Sequence, residues 1–333
     1  MKKVRILTLD GGGIRGIIPA VILNYIEKRI QEKTENPNAK ISDYFDMIAG
    51  TSTGGILSVL LSLPAENDKK NGRYFAKEAI ELYKTHGKEI FKKKRITKVF
   101  GALYTAKGLD NILKEKMGDI KLSESRKNCL ITAYDISNRE AVFFSSTDAV
   151  DSKDDDYYMR EIARATSAAP TYFTPAKVQS LSGRTDYLID GGVFANDPTM
   201  SALVEARKNK FSNIENPNFK EMYVVSIGTG KDTKRYTYEK AKKWGIAQWA
   251  VPILKILMSS SAEVVSYQVR KLFESLNCSD SYERLEPDLC KASNEMDDVS
   301  DKNIFNLENA GLIFVKKNKE LLNKIADELI KNE

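Results

Sequence analysis

Histidine is almost missing from this chain: one residue in 333, His86, in a lysine-rich stretch. Serine hydrolases usually activate their hydroxyl with histidine, so a nucleophile here needs another base, and a carboxylate is the obvious candidate. Cysteine is scarce too. Cys129, Cys278 and Cys290 are widely spaced and form no metal-ligand pair, which fits a reduced, cytoplasmic protein. No stretch approaches the ~20 apolar residues of a membrane span. Met1-Lys2-Lys3 resembles the start of a signal peptide, but the apolar run Val4–Leu9 breaks at Asp10 and three glycines and reads better as a first strand. Charge of one sign is also lacking. The net +6 is compatible with attraction to an anionic membrane surface and too weak to argue for nucleic acid.

What is present describes a globular protein: 42% apolar and 29% charged residues, in a chain long enough for one large α/β domain or two smaller ones. Apolar strands are expected at Val4–Leu9, Phe45–Ala49, Tyr187–Ile189 and Met222–Ile227, with Asn128–Ile136 and Ala141–Ser145 alternating like a pair. Helices are expected at Ile17–Ile30, Gly55–Leu63, Tyr74–Phe91, Leu109–Lys116, Tyr158–Thr166 and Pro198–Lys208. Two more follow, at Glu239–Phe273 with a break at Pro252 and at Ile304–Ile330. The second helix is apolar all round, which implies burial on every side. Strands alternating with helices imply a three-layer α/β/α fold around a mainly parallel sheet. With no repeat and no linker, residues 1–333 read as one domain, a core over about 1–230 with a helical part over about 235–333 packed on it.

Three glycine-rich turns carry the chemistry. Asp10–Gly16 (DGGGIRG) follows the first strand and satisfies the dinucleotide pattern G-x-G-x-x-G. That fingerprint also wants a second strand ending in Asp or Glu about 20 residues on, and Gln31–Lys40 is polar and loop-like instead. The turn serves equally as an anion cradle, with the N–H groups of Gly11, Gly12 and Gly13 and the charge of Arg15 receiving an oxyanion. The second turn, Gly50-Thr51-Ser52-Thr53-Gly54, places a serine on a tight strand-to-helix corner and lacks the lysine of a phosphate-binding loop. In the third, Asp190 closes a strand before Gly191 and Gly192. An oxyanion cradle, a nucleophile and a carboxylate at the carboxyl edge of one sheet make a complete acyl-transfer set. An unperturbed aspartate, pKa about 3.9, is a poor base near neutrality, so the pair leans on geometry and the oxyanion site. Asp10 and Asp190 could be imagined as a metal pair, but Asp10 is read as bracing the glycine loop; neither metal nor cofactor is called for.

Taken in order, Asp-Gly-Gly-Gly-x-Arg-Gly, Gly-x-Ser-x-Gly and Asp-Gly-Gly resemble the patatin-like phospholipases, lipid acyl hydrolases that share a Ser-Asp dyad with cytosolic phospholipase A2. The likeness extends to Thr174-Pro175-Ala176, Val193-Phe194-Ala195-Asn196, Lys243-Trp244-Gly245, Asn277–Leu285 and Glu295-Met296-Asp297-Asp298. The resemblance implies that Ser52 and Asp190 form the dyad, with Gly50, Thr53, Gly54, Gly191 and Gly192 as turn support. It also implies a membrane phospholipid or galactolipid substrate met at a peripheral membrane surface. The vacuolar location of plant storage patatins does not carry over. Competing readings are a nucleotide-regulated membrane-degrading effector, or a catalytically quiet lipid- or nucleotide-binding protein.

His86 is expected in an exposed or capping role, because it follows the serine closely and lies among charged residues. Trp244–Met258, with both tryptophans, and Phe91–Phe100, with five basic residues between aromatics, could rest on an anionic bilayer. The alternatives are a core helix and a solvated face.

Overall fold

A computed structural model describes residues 3–93, 101–212, 214–231 and 235–331. In chain order, β1 (Val4–Leu9) runs into a 3-10 turn and α1 (Ile17–Thr34); β2 (Met47–Thr51) leads into α2 (Thr53–Ser62). Next come α3 (Ala76–Ile90), α4 (Lys107–Met117), β3 (Asn128–Asp135), β4 (Glu140–Ser145), α5 (Ser146–Asp151) and α6 (Met159–Thr166). Then follow β5 (Ala176–Gln179), β6 (Thr185–Asp190), α7 (Thr199–Ala206) and a minor pair, β7 (Lys210–Phe211) and β8 (Ile214–Glu215). The remaining elements are β9 (Met222–Ile227), α8 (Tyr238–Ala241), α9 (Ile246–Ser275), β10 (Tyr282–Leu285), α10 (Asp301–Lys317) and α11 (Lys319–Ile330).

Among the described residues the main sheet has eight strands, ordered β10-β9-β1-β2-β3-β6-β5, with β4 also on β3. The run from β10 to β3 is parallel, while β4, β5 and β6 pair antiparallel. β1, β2 and β9 are buried along their whole lengths, as expected of central strands covered on both faces. Their alternation sorts the two outer layers. Val4, Ile6, Met47 and Leu130 pack with Leu203 of α7 and Val269 and Phe273 of α9. On the opposite face Leu7, Leu9, Ile48 and Ile131 join a larger core with α1, α2, α3, α6, α10 and α11. The three-layer α/β/α expectation is met.

Three expectations need correction. α9 does not break at Pro252, which lies inside it. The missing N–H costs one helical bond, and Gln248, whose carbonyl is freed, is exposed and open to hydration. The last helix divides at Asn318, whose side-chain amide donates to the Phe314 carbonyl while its own carbonyl accepts from Leu322. Finally, α9 is long and apolar enough to cross a membrane by length and composition, although no such stretch is evident from the sequence run. Leu254, Met258, Val269 and Phe273 nonetheless bury into the protein, so the helix is anchored to the sheet.

Candidate active site

The strand pairing explains how Ser52 and Asp190 meet. β4 pairs with β3 from Leu130 to Asp135 and so occupies one edge of that strand. β2 and β6 must share the other edge. β2 takes it as far as Thr51 opposite Thr132, and β6 takes over with Asp190 opposite Ala133. The two strands meet end to end, and the residue after Thr51 is Ser52. Asp190 therefore ends an antiparallel strand, not one of the parallel set expected from the sequence, and still arrives level with the serine.

Ser52 stands at φ 55° and ψ −124°, a backbone region costly for a side chain bearing a Cβ and often stored at reactive sites. The corner is held from several directions. The Ser52 N–H donates to the Thr166 hydroxyl at 2.8 Å, and the Ile56 N–H returns to the Ser52 carbonyl at 3.0 Å. Thr53 shares a hydrogen bond with the Tyr83 hydroxyl. Gly54 is required by contact, because a Cβ there would lie 2.1 Å from the Leu9 carbonyl oxygen. Gly50 likewise backs onto Gly54, and Gly191 onto Thr132.

Asp190 is buried. Its Oδ1 accepts the Gly192 N–H at 2.8 Å, while Oδ2 makes no well-formed hydrogen bond among the described residues. Burial pushes its pKa up to about 7, against the pull of the nearby Ser52 hydroxyl and the Gly192 N–H. The aspartate is thus a better-matched base near neutrality than its unperturbed value suggests. Ser52 and Asp190 line one narrow apolar chamber of about 50 Å³, with Ile56, Phe91, Leu109, Phe173, Met258 and Met296. That is room for only a few waters. Its lining is apolar, with Met258 and Met296 as its most adaptable side chains.

The glycine loop comes close to this pair, since a Cβ on Gly11 would lie 3.1 Å from Ser52 Cβ and 2.3 Å from Asn196 Oδ1. Not all of its expected donors are free. The Gly11 N–H donates to the Asn196 carbonyl and the Arg15 N–H to the Gly12 carbonyl. The N–H groups of Gly12 and Gly13 have no partner among the described residues. Arg15 is also placed differently from expectation. Its Nε bonds the Gly12 carbonyl at 3.4 Å, and its side chain borders a second, polar cavity rather than the serine chamber.

Arg284 was not apparent as a site residue from its sequence, a lone cation in the strand Tyr282–Leu285. Its guanidinium grips both Asp10 oxygens, at 2.9 and 2.6 Å, and reaches Asp197 at 3.2 Å and Ser226 at 2.8 Å. Burial opposes the Arg284 charge, but Asp10, Asp197 and Glu286 outweigh it and hold the guanidinium above its ordinary pKa. Burial also pushes the Asp10 carboxyl up while Arg284 pulls it back; the bidentate contact is the geometry of an ionised pair. His86 is neither exposed nor a cap. It sits half-buried on α3, 4.0 Å from Glu89, and lines a separate cavity with Leu60, Leu82 and Tyr74.

The signature of the patatin-like phospholipases matches residues 7–203. Patatin-like protein 2 from Oryza sativa subsp. indica is 35% identical over 348 aligned residues, spanning 96% of this chain and 85% of that protein. Patatin-2-Kuras 3 and Patatin-T5 from Solanum tuberosum are each 34% identical over 330 residues, spanning 95% of this chain and 84% of theirs. The chain belongs to the patatin-like phospholipase family, among the lipid-degrading hydrolases. Among solved structures it is similar to VipD from Legionella pneumophila, with a TM-score of 0.39 and 11% identity over 95% of this chain and 67% of that one, too distant to add to the assignment.

Proposed function

We propose that this protein is a phospholipase A or lysophospholipase that cleaves fatty-acyl esters of membrane phospholipids or galactolipids, with Ser52 as nucleophile and Asp190 as base. The observation that carries this reading is a serine on a strained corner beside a buried carboxyl whose pKa is about 7, both facing an apolar chamber. The Asp190 carboxylate takes the hydroxyl proton as Ser52 Oγ bonds to the ester carbonyl carbon. The carbonyl electron pair moves to oxygen, which the N–H groups of Gly12 and Gly13 stabilise. The intermediate collapses, the C–O bond to the alcohol breaks, and Asp190 returns its proton to that leaving group. Water then gives a proton to Asp190 and attacks the acyl-serine, releasing the fatty acid and restoring the serine hydroxyl.

The same reading makes α9 the membrane-facing element. In its first half Leu254 and Met258 are buried, whereas Trp249, Val251, Ile253 and Leu257 are exposed and Ile246 is 95% exposed. That is too much apolar surface for a solvated helix and suits the interfacial zone of a bilayer. Lys92 and Lys93 belong to the basic stretch considered above; its residues 94–100 lie outside the described residues. We place the enzyme peripherally on a membrane facing the cytoplasm, a reading favoured by the free thiols of Cys129, Cys278 and Cys290. We read the chain as a single domain, because one apolar core draws on residues from Leu7 to Leu329.

A fluorophosphonate ester tests the assignment. It should label the native protein and leave Ser52→Ala unlabelled, and mixed lipids incubated with native protein should release free fatty acid in mass spectra. Labelling that persists in Ser52→Ala would remove Ser52 as the nucleophile.

A further inference from the structure

The serine chamber accounts for the apolar side of a glycerolipid and leaves its polar side without a place. A second cavity of about 680 Å³ lies across the glycine loop, with Asp10, Arg15, Asn196 and Thr229 at its inner end. Met258 and Met296 line both spaces, so the two cavities share a methionine wall. Their chemistry is opposite. The second cavity is lined along one side by α9, through Ser259, Glu263, Ser266, Arg270 and Glu274, which recur every three or four residues and so share one face. This polar face begins where the exposed apolar half of the helix ends.

Charge selects the ligand. Six of the lining side chains are cationic and four are acidic. Lys255 is neutralised by Glu295 and Lys271 by Glu274, each at 2.6 Å, while Arg284 is held by Asp10 and Glu286. Lys231 and Arg270 have no carboxylate partner among the described residues. Two cations without an ion pair among these residues, against the single free carboxylate of Glu263, thus face a roomy polar space next to the reacting serine. A glycerolipid held with its ester at Ser52 and its acyl chain in the apolar chamber has to send its glycerol and headgroup elsewhere, and this cavity adjoins both.

We propose that the cavity binds the phosphate-bearing headgroup of the substrate, with Arg270 and Lys231 as its phosphate ligands. The assignment rests on the acyl-hydrolase reading and makes phospholipids, rather than uncharged galactolipids or diacylglycerol, the preferred substrates. Hydrogen bonds to charged groups are strong enough that losing both cations changes selectivity by at least about tenfold.

The test is Arg270→Ala combined with Lys231→Ala, compared with native protein on phosphatidylglycerol and on diacylglycerol. Both lipids are presented in the same nonionic detergent micelles, so that surface charge does not differ. The ratio of kcat/KM for phosphatidylglycerol over diacylglycerol should fall at least about tenfold in the double variant. An unchanged ratio, including equal losses on both lipids, overturns the proposal. A second readout needs no turnover: in calorimetry, soluble glycerophosphoglycerol should bind Ser52→Ala protein and fail to bind once the two cations are also removed. Binding of inorganic phosphate without binding of glycerophosphoglycerol would mark a free-anion site and overturn the headgroup assignment. Should the native protein cleave neither lipid, the acyl-hydrolase reading fails, while the titration still decides what the cavity holds.

Discussion

Arg284 holds Asp10 by both carboxylate oxygens and reaches Asp197 with the same guanidinium. Asp10 opens the glycine loop, and Asp197 follows Asn196, whose carbonyl accepts the Gly11 N–H. One buried cation therefore ties the glycine loop to the segment that follows Asp190. Removing one partner of a buried ion pair leaves the other charge uncompensated, typically at about 3–5 kcal/mol. Arg284→Ala should lose about that much stability in urea denaturation. Arg284→Lys keeps the charge but not the fork; it should retain more stability and still show a lowered kcat. An unchanged urea midpoint for Arg284→Ala would show that the clamp contributes nothing.

Activity should depend on pH through Asp190. The carboxyl must be ionised to accept a proton, and burial puts its pKa at about 7. On a soluble ester, kcat/KM should rise about tenfold per pH unit well below 7 and level off above it. A profile already flat at pH 5 would contradict a raised pKa.

Stability runs the opposite way at the same residue. In the unfolded chain an aspartate titrates near 3.9, so the folded pKa is raised and the native state favours the protonated form. Native stability is lost as pH rises from about 4 to about 7, and the deficit is constant above that. Asp190→Asn should raise Tm at pH 8, corresponding to about 2–4 kcal/mol, and raise it less at pH 5, while abolishing activity. Equal gains at both pH values would point to packing rather than charge.

Gly54→Ala should be severe. The new Cβ would lie 2.1 Å from the Leu9 carbonyl oxygen and 2.5 Å from its carbon, both backbone atoms of a central strand. A loss of about 3 kcal/mol or more is expected, with fluorophosphonate labelling lost from whatever protein folds. Near-native stability would mean that the corner is looser than its contacts imply.

Membrane binding should depend on the exposed half of α9. Trp249→Ser with Leu257→Ser should weaken cosedimentation with anionic vesicles. Neutralising Lys92 and Lys93 should cost up to about 1 kcal/mol each, an effect that fades with added salt. Vesicle binding unaffected by either pair would move the membrane contact elsewhere.

Much of this was legible in the sequence because the informative features are local. A strand, a glycine turn and a helix follow one another at Asp10 and at Ser52, and local chemistry fixes each. The direction of β6 was not legible, since alternation along Thr185–Asp190 says nothing about which neighbour it pairs with; β3 decides that from more than fifty residues away. The role of Arg284 is illegible for the same reason, its partners being distant in the chain. The apolar run around Trp249 reads equally as core or as surface, and only the anchoring of α9 through Leu254, Met258, Val269 and Phe273 turns its remaining side chains outward. Gly11 reads as an oxyanion donor and Arg15 as its assisting charge from their motif, but the Gly11 N–H is committed to the Asn196 carbonyl and the Arg15 side chain borders the polar cavity.

The most direct test of a serine activated by a carboxylate alone is kcat on one soluble ester for His86→Ala, Ser52→Ala and Asp190→Asn side by side. His86 lines a different cavity, so its variant should stay within about twofold of native, whereas the other two should each fall by about 10⁴-fold or more. A His86→Ala protein as inactive as Ser52→Ala would contradict the account.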